Sequence, residues 1–150
     1  MGLVDLAHTI GKARLQQAHI VSFYCSLDNN TIAAIKKELA ITKGVVRHVI
    51  FAMGATEVFH KFVELNKKFD IAPLAEGEKK AAPLVRKGYF NKEEHNLEVS
   101  WKAVKLLKYY TTRFGSIKPR RFMGNSVSQQ KKMRQAMLRA RELGVVAYTN

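Results

Sequence analysis

The chain has 150 residues, of which 26 are Lys or Arg and 12 are Asp or Glu, giving a net charge of +14. This length limits the chain to one domain or two very small ones, and the charge favours a polyanionic partner: RNA, DNA or an anionic membrane surface. A hydrophobic fraction of 47% supports a folded core and excludes a simply disordered basic tail. No apolar run approaches the roughly 20 residues needed to span a bilayer.

The first half of the chain predicts alternating strands and helices. Residues 18–25, AHIVSFYC, are rich in β-branched and aromatic side chains and predict a strand, as do residues 45–53, VVRHVIFAM. Between them, residues 31–40, TIAAIKKELA, place their apolar side chains at helical spacing. These elements predict a β-α-β unit.

A further helix is predicted over residues 56–69, with Phe59, Phe62 and Val63 on its apolar side. The single cysteine, Cys25, lies in an apolar run, which predicts a buried thiol in a reducing compartment. The five histidines lack the compact spacing of metal ligands, and the sequence has no catalytic motif and no glycine-rich phosphate loop. The sequence therefore predicts no catalytic residues, no metal and no cofactor.

The charge is unevenly divided along the chain. Residues 1–82 contain 11 Lys or Arg and 8 Asp or Glu, a net charge of +3, whereas residues 83–150 contain 15 and 4, a net charge of +11. The boundary falls in residues 70–88, which contain two of the three prolines and many small residues, a composition typical of a linker. The chain is therefore predicted to have a nearly balanced module that contacts protein and a basic module that contacts nucleic acid.

Two helices are predicted in the basic module. The first covers residues 99–115, with Trp101, Leu107 and Tyr110 on its apolar face and three lysines on its other side, namely Lys102, Lys105 and Lys108. The second follows a capping box formed by Ser126 and Gln129 and runs to about Leu143. Its predicted buried stripe consists of Val127, Met133, Ala136, Met137, Ala140 and Leu143.

The loop and helix from Lys118 to Arg141 contain many cations and no acidic residue. Lysine and arginine neutralise phosphates and release counterions, so this pattern favours contact with RNA or DNA. Pro119 gives the loop a rigid corner from which Arg120 and Arg121 can reach a phosphate backbone. The alternative is an ordinary solvated face, although such a face usually mixes both signs of charge.

The motifs of residues 98–150 resemble those of the bacterial-type small-subunit ribosomal protein eighteen. The resemblance rests on Leu107-Lys108-Tyr109, on residues 115–124 with their "PRR" and glycines, and on residues 130–149. It implies a small basic all-α module that binds folded small-subunit rRNA, mostly through phosphate and ribose, without catalysis. The residues implied in RNA binding are Lys118, Arg120, Arg121, Asn125, Lys131, Lys132, Arg134, Arg139 and Arg141.

The first module is similar, more weakly, to part of small-subunit ribosomal protein six. The matching motifs are Gly2 with Leu6–Ile10, then Ala18–Val21 and Val45–Ile50. The resemblance implies an incomplete ferredoxin-like β-α-β module, whose first strand and first helix precede the matched part. We expect a separate chain to supply a strand between residues 18–25 and 45–53, unless the gene model is truncated.

The sequence thus predicts an α+β protein in three parts: a partial protein-six-like module (1–70), a linker (71–97) and a protein-eighteen-like module (98–150). The predicted function is a structural constituent of a bacterial-type small ribosomal subunit, bound to rRNA and neighbouring ribosomal proteins and not to a membrane. Residues 69–80 resemble the tail of mitochondrial members and favour the mitochondrion, with a plastid-type organelle or the bacterial cytoplasm as alternatives. A stand-alone RNA-binding regulatory protein with the same scaffold is the alternative function.

Overall fold

The computed structural model describes residues 2–11, 14–54, 57–67, 88–91 and 99–149. It is a mixed α+β structure with a two-stranded antiparallel sheet and a C-terminal helical region. In chain order the elements are β1 (Leu3–Ile10), β2 (Leu15–His19), α1 (Asn29–Ile41), α2 (Phe62–Lys67), a 3₁₀ turn (Tyr89–Asn91), α3 (Val104–Tyr110), α4 (Arg120–Met123) and α5 (Val127–Glu142). Most of the predicted linker lies outside the described residues.

The main core lies in the C-terminal helical region, between α3, α5 and the residues that follow α5. Helix α5 buries one stripe because its apolar residues recur every three or four positions. The predicted stripe is confirmed at Met133, Ala136, Met137 and Ala140. It is wrong at Val127, which is 53% exposed, because residues two apart on a helix point about 200° apart and the stripe begins at Gln129. The buried apolar residues of this region are Phe90, Ala103, Leu106, Leu107, Tyr110, Met123, Met133, Ala136, Met137, Ala140, Val145 and Val146.

Helix α3 is shorter than the helix predicted over residues 99–115. It begins at Val104, after a turn in which the Ala103 amide donates to the Ser100 carbonyl (3.1 Å). It ends at Tyr110, because Thr111 is extended and pairs with Ile117 across an isolated bridge. The late start of the helix removes Lys102 from the predicted basic side and buries it, with 2% of its surface exposed.

Gly115 makes the tight turn between Thr111 and Ile117 possible. Its φ of +81° lies in the left-handed region, and a Cβ atom there would collide with the backbone carbonyl of Tyr148. Glycine is therefore required both by the backbone conformation and by the close approach of the C-terminal segment.

Strands β1 and β2 form a hairpin, with Leu3 opposite His19 and Asp5 opposite Gln17. The Gln17 amide donates to the Asp5 carboxylate across the pair (2.7 Å). Alternate residues of β1 turn toward the helical region, ending in the buried Ile10. The strand predicted over residues 18–25 is only partly present, since the ladder ends at His19, where β1 begins. Cys25 consequently lies in an irregular surface segment and is exposed, so the prediction of a buried thiol is wrong.

Helix α1 confirms the helix predicted over residues 31–40, whereas the strand predicted over residues 45–53 is wrong. Residues 45–54 have no regular secondary structure and no ladder partner among the described residues. Because strand propensity depends on packing against a paired neighbour, β-branched residues alone do not produce a strand there. The predicted β-α-β unit, and the open position between its two strands, are therefore absent.

Among the described residues, the helix predicted over residues 56–69 is present only as α2. Thr56 and Phe69 lie outside the described residues. The predicted apolar side is wrong at Phe59 and Val63, which are largely exposed. Phe62 is half-buried, and the buried residue of α2 is Leu65. The Asn66 amide donates to the Lys102 carbonyl (2.8 Å), which holds α2 against the start of α3.

Contacts from several parts of the first half join it to the helical region. The Ala7 amide of β1 donates to the Gly144 carbonyl after α5 (2.7 Å). The Arg47 side chain donates to the Glu142 carbonyl (2.5 Å). The hairpin and the irregular segment therefore both lie against the C-terminal end of α5.

Candidate nucleic-acid interface

The basic loop is held in place by the backbone of α3. The Lys118 amide donates to the Tyr110 carbonyl (2.8 Å), and Pro119 precedes the single turn of α4 in an extended conformation. Gly124, with a φ of +71°, ends this turn in the left-handed region. The loop thus presents Arg120 and Arg121 on a short helical turn, and both side chains are exposed.

Helix α5 begins with the predicted capping box, which is confirmed. The Ser126 hydroxyl accepts from the Gln129 amide (3.2 Å), and the Ser126 amide donates to the Gln129 side chain (2.8 Å). The Gln129 side chain also donates to the Phe90 carbonyl (2.5 Å), which fixes the start of α5 against the 3₁₀ turn. The exposed surface of α5 then presents Lys131, Lys132 and Arg134.

Five of the nine sequence-predicted RNA-binding side chains are exposed and make no hydrogen bond or ion pair with any described residue. They come from α4 and the first half of α5: Arg120, Arg121, Lys131, Lys132 and Arg134. We refer to these five residues as the free-cation face. Cations without a partner in the described part of the chain can contact an external anion.

The other four predicted residues have partners or are buried. The Lys118 ammonium donates to the Tyr109 carbonyl (2.5 Å) and lies 4.5 Å from the centre of the Tyr109 ring. Asn125 is 5% exposed, and its amide donates to the Gln130 side chain (3.2 Å). Both therefore support the loop, and their contact with RNA remains a prediction.

Arg139 and Arg141 face inward toward other parts of the chain. Arg139 forms an ion pair with Glu57 (3.2 Å), donates to the Ala52 carbonyl (2.8 Å) and lies 5.1 Å from the Phe51 ring centre. Arg141 donates to the carbonyls of Gly115 and Ala147 and lies over the Tyr148 ring. Their geometry joins the first half and the C-terminal segment to α5.

The structure also reveals exposed aromatic residues that the sequence reasoning missed. Phe122 follows Arg120 and Arg121 on α4 and is 75% exposed. Phe114 is exposed beside Arg113, whose guanidinium lies 4.6 Å from its ring centre. The sequence does contain a signal for these residues, namely a large apolar residue inside an acid-free basic run. Aromatic rings interspersed with cations are typical of single-stranded nucleic-acid binding.

Lys102 is buried in an aromatic cage formed by Tyr24, Phe59 and Trp101. Its ammonium lies 5.0, 4.6 and 5.5 Å from the three ring centres and donates to the His60 carbonyl (2.8 Å). Cation–π attraction compensates part of the cost of removing the charge from water. The cage therefore fastens two segments of the first half to the turn before α3.

Tyr110, at the end of α3, is fully buried, and its hydroxyl has no hydrogen-bond partner among the described residues. Burial, with a smaller contribution from Tyr109, raises the pKa of the Tyr110 phenol far above its ordinary value. The phenol therefore stays neutral, and Tyr110 is a core residue whose ring centre lies 5.2 Å from that of Phe90.

The described part of the chain has neither a metal-binding cluster nor a membrane-spanning helix. It contains no group of three or more His, Cys, Asp or Glu side chains arranged to hold a metal ion. None of its helices is both long and apolar enough to cross a bilayer.

The fold and the site define a small basic helical domain with exposed cations on α4 and the first half of α5, and an N-terminal hairpin region docked against the end of α5. Residues 95–146 match the family described as Ribosomal protein S18. The chain belongs to this family through its C-terminal helical region. The family is one of structural ribosomal proteins and not of enzymes.

Individual relatives support this assignment. The small ribosomal subunit protein bS18 of Syntrophotalea carbinolica is 36% identical over 64 residues, which cover 43% of this chain and 70% of the relative. The bS18 of Syntrophobacter fumaroxidans is 34% identical over 56 residues, covering 37% of this chain and 69% of the relative. The bS18 of Wolbachia pipientis wMel is 37% identical over 51 residues, covering 34% and 56%. No solved structure matches the chain significantly.

Proposed function

We propose that this chain is a structural constituent of a bacterial-type small ribosomal subunit and binds small-subunit rRNA through the free-cation face. The observation that carries the proposal is that the family match and the exposed cations fall on the same part of the chain. The part of the chain that belongs to the S18 family, residues 95–146, also contains the five free cations and the acid-free run from Lys118 to Arg141.

The electrostatics of the face support phosphate as its ligand. Exposed cations usually stand near acids, and each such pair contributes little to stability. Here the cations have no acidic neighbour in sequence and make no ion pair with the described residues. A polyanion removes their mutual repulsion and releases counterions, which makes binding strongly dependent on salt.

The first half of the chain is proposed to be a protein-six-like region fused to its neighbour. The β1–β2 hairpin coincides with the motifs at Leu6–Ile10 and Ala18–Val21, which supports this proposal, whereas the irregular residues 45–54 depart from a ferredoxin-like sheet. Covalent linkage raises the effective concentration of two domains that act together. Exposed apolar residues of this half would then contact neighbouring ribosomal proteins.

The proposed compartment is the mitochondrion. The curated relatives above are bacterial proteins, and ribosomes of this type also occur in organelles. The resemblance of residues 69–80 to mitochondrial members favours the mitochondrion over a plastid. Fluorescence microscopy of the tagged full-length protein with an organelle marker tests this proposal, and an exclusively plastid or bacterial-cytoplasmic signal would overturn it.

Sedimentation tests the ribosomal role directly. We expect the tagged chain to co-migrate with the small subunit on a gradient and to remain bound after a moderate salt wash. A chain that stays at the top of the gradient while still binding RNA would instead support the stand-alone regulatory protein.

A pair of double variants tests the interface. Replacement of Arg120 and Arg121 by Ala should weaken RNA binding and reduce the slope of log K against log salt by about 1–2, because each lost phosphate contact contributes about 0.7–0.9. Replacement of Lys36 and Lys37 by Ala, which removes the same charge from exposed positions of α1, is the matched control and should leave the slope nearly unchanged. Equal slopes for the two variants would show that the α4 arginines do not contact phosphate.

A further inference from the structure

A shallow open groove of about 310 Å³ lies between α4 and the first turns of α5. Four α5 residues line it with a spacing of i, i+3, i+4 and i+7, so they occupy one side of the helix. This side is distinct from the buried stripe, because none of its residues is among the buried apolar residues of α5. The lining residues are Ile117, Arg120, Val127, Gln130, Lys131 and Arg134.

The groove combines an apolar floor with a cationic rim. Val127 and the half-buried Ile117 supply apolar surface, while Arg120, Lys131 and Arg134 supply three positive charges. A single exposed valine on a flat surface would need no explanation. Here the exposed valine lies in a concave site whose lining includes no carboxylate, and its surroundings therefore suit a ligand with both a flat apolar part and an anionic part.

One wall of the groove is fixed before any ligand arrives. The Gln130 amide donates to the Lys118 carbonyl (3.1 Å), and its oxygen accepts from the buried Asn125 amide (3.2 Å). The Gln130 side chain is thus held at both of its polar atoms. A wall that is already ordered loses little conformational entropy on binding, which favours selective recognition over loose electrostatic contact.

We propose that this groove binds a single unstacked nucleotide of RNA, with its base against Val127 and Ile117 and its flanking phosphates on the three cations. The proposal rests on the proposed function, because it specifies how the free-cation face recognises RNA. The volume of 310 Å³ is at the lower end of small-ligand sites, which span about 300–1,000 Å³. The groove therefore has room for about one nucleotide.

The chemistry of the groove favours an extruded nucleotide over two other anionic ligands, a continuous RNA duplex and an acidic peptide. The bases of a continuous RNA duplex are stacked inside the helix, and a groove of this kind can contact only their backbone. An acidic peptide would satisfy the cations, but its carboxylates provide no flat apolar face for the floor. A bulge, an internal loop or a single strand presents both parts together.

Fluorescence binding with the full-length chain tests this inference. The probes are an RNA hairpin with one bulged 2-aminopurine and the same hairpin with that nucleotide paired. We expect the bulged RNA to bind about fivefold more tightly, with a change in 2-aminopurine emission, because only the bulged base can remove the apolar floor of the groove from water. Val127→Gln and the nearly isosteric Val127→Thr should remove this preference and leave binding of the paired hairpin unchanged. Leu138→Gln, at another exposed apolar position of α5 outside the groove, should retain the preference.

The outcomes separate the inference from the proposed function. Equal affinity of the unaltered chain for the two RNAs, or a preference that persists in both Val127 variants, would overturn the groove inference while RNA binding stands. Failure of the unaltered chain to bind either RNA would overturn the proposed function itself. Displacement of the bulged RNA by poly-glutamate as efficiently as by unlabelled RNA would show that the groove recognises anions without regard to a base, and would also overturn the inference.

Discussion

The two regions of the chain are stabilised in different ways. Among the described residues, twelve buried apolar side chains lie between Phe90 and Val146, whereas only Ile10 and Leu65 are buried in residues 2–67. The region from Phe90 to Val146 is stabilised mainly by the packing of these side chains. Residues 2–67 contribute Leu65 to that core and are otherwise joined to it by partly buried residues such as Val4 and Ile20, a hairpin contact, an ion pair, single hydrogen bonds and the Lys102 cage.

This difference has an energetic consequence. Apolar burial contributes about 25 cal/mol per Å² and is cooperative across a shared core, whereas a single hydrogen bond contributes only about 0.5–1.5 kcal/mol net. The helical region should therefore unfold as one unit, while the first half can open locally at lower cost. Its exposed apolar residues are then suited to contacts with other proteins.

The largest predicted effect breaks the packed region. Leu107→Ala, at a fully buried position of α3, should lower the free energy of unfolding by about 2–5 kcal/mol, because it leaves a cavity in the core. Phe23→Ala, which removes a side chain that is 86% exposed, should change it by less than about 0.5 kcal/mol. Denaturant unfolding followed by circular dichroism measures both, and comparable losses would contradict the contrast between the regions.

Alanine substitutions at Gly115 and Gly44 distinguish the cost of a steric collision from the cost of backbone strain. Gly115→Ala should cost more than about 2 kcal/mol, because its positive φ is unfavourable for alanine and the new Cβ would collide with the Tyr148 carbonyl. Gly44→Ala has a similar positive φ but no atom within 4 Å of the new Cβ. Its cost should be about 1 kcal/mol. Thermal melts of the two variants provide the comparison, and equal shifts would mean that the C-terminal segment yields to the collision.

The Lys102 cage tests how the first half is held. Lys102→Met keeps the aliphatic stem but loses the cation–π contacts and the hydrogen bond to His60, and should cost about 1–2 kcal/mol. Hydrogen exchange should accelerate in residues 20–54 more than in α5. Lys108→Met, at an exposed position of α3, is the matched control and should leave both regions unchanged. Uniform acceleration across both regions would show that the cage belongs to the main core.

The smallest predicted effect concerns the ion pair between Arg139 and Glu57. Their side chains are 15% and 38% exposed, so solvent screens the pair and a double-mutant cycle should give a coupling energy below about 1 kcal/mol. The coupling should fall further in 0.5 M salt, since the screening length shortens with ionic strength. A coupling above about 2 kcal/mol would indicate that the first half is held more tightly than its limited burial implies.

Local sequence patterns were sufficient for part of this fold. The helical spacing of residues 31–40 and the capping box of Ser126 and Gln129 act within one element, and both are confirmed. The strand predicted over residues 45–53 failed because a strand needs a partner that local sequence does not specify. The burial of Lys102 was equally invisible, since its cage is assembled from residues far apart in the sequence, Tyr24 and Phe59.

The sequence predicted which cations form the candidate site, but not which of them are left without a partner in the described fold. The acid-free run correctly located the cations of α4 and of the first half of α5 on the surface, whereas Arg139 and Arg141 in the second half are partly buried and paired. It could not distinguish Arg134, which has no partner among the described residues, from Arg139, whose acid lies 82 positions earlier in the chain. Nor could it indicate that Val127 faces outward beside those cations, because a shift of one position in the helical phase decides between core and groove.

The position of the core has a consequence for synthesis. Residues 2–67 leave the translating ribosome before the helices against which they dock have been made. At about 5–20 residues per second, the 82 residues from 68 to 149 require about 4–16 s. During that interval the hairpin has no Gly144 carbonyl to accept from Ala7, and Tyr24 and Phe59 have no lysine between them. Chaperones that bind nascent chains therefore have a defined window in which to shield this half of the protein.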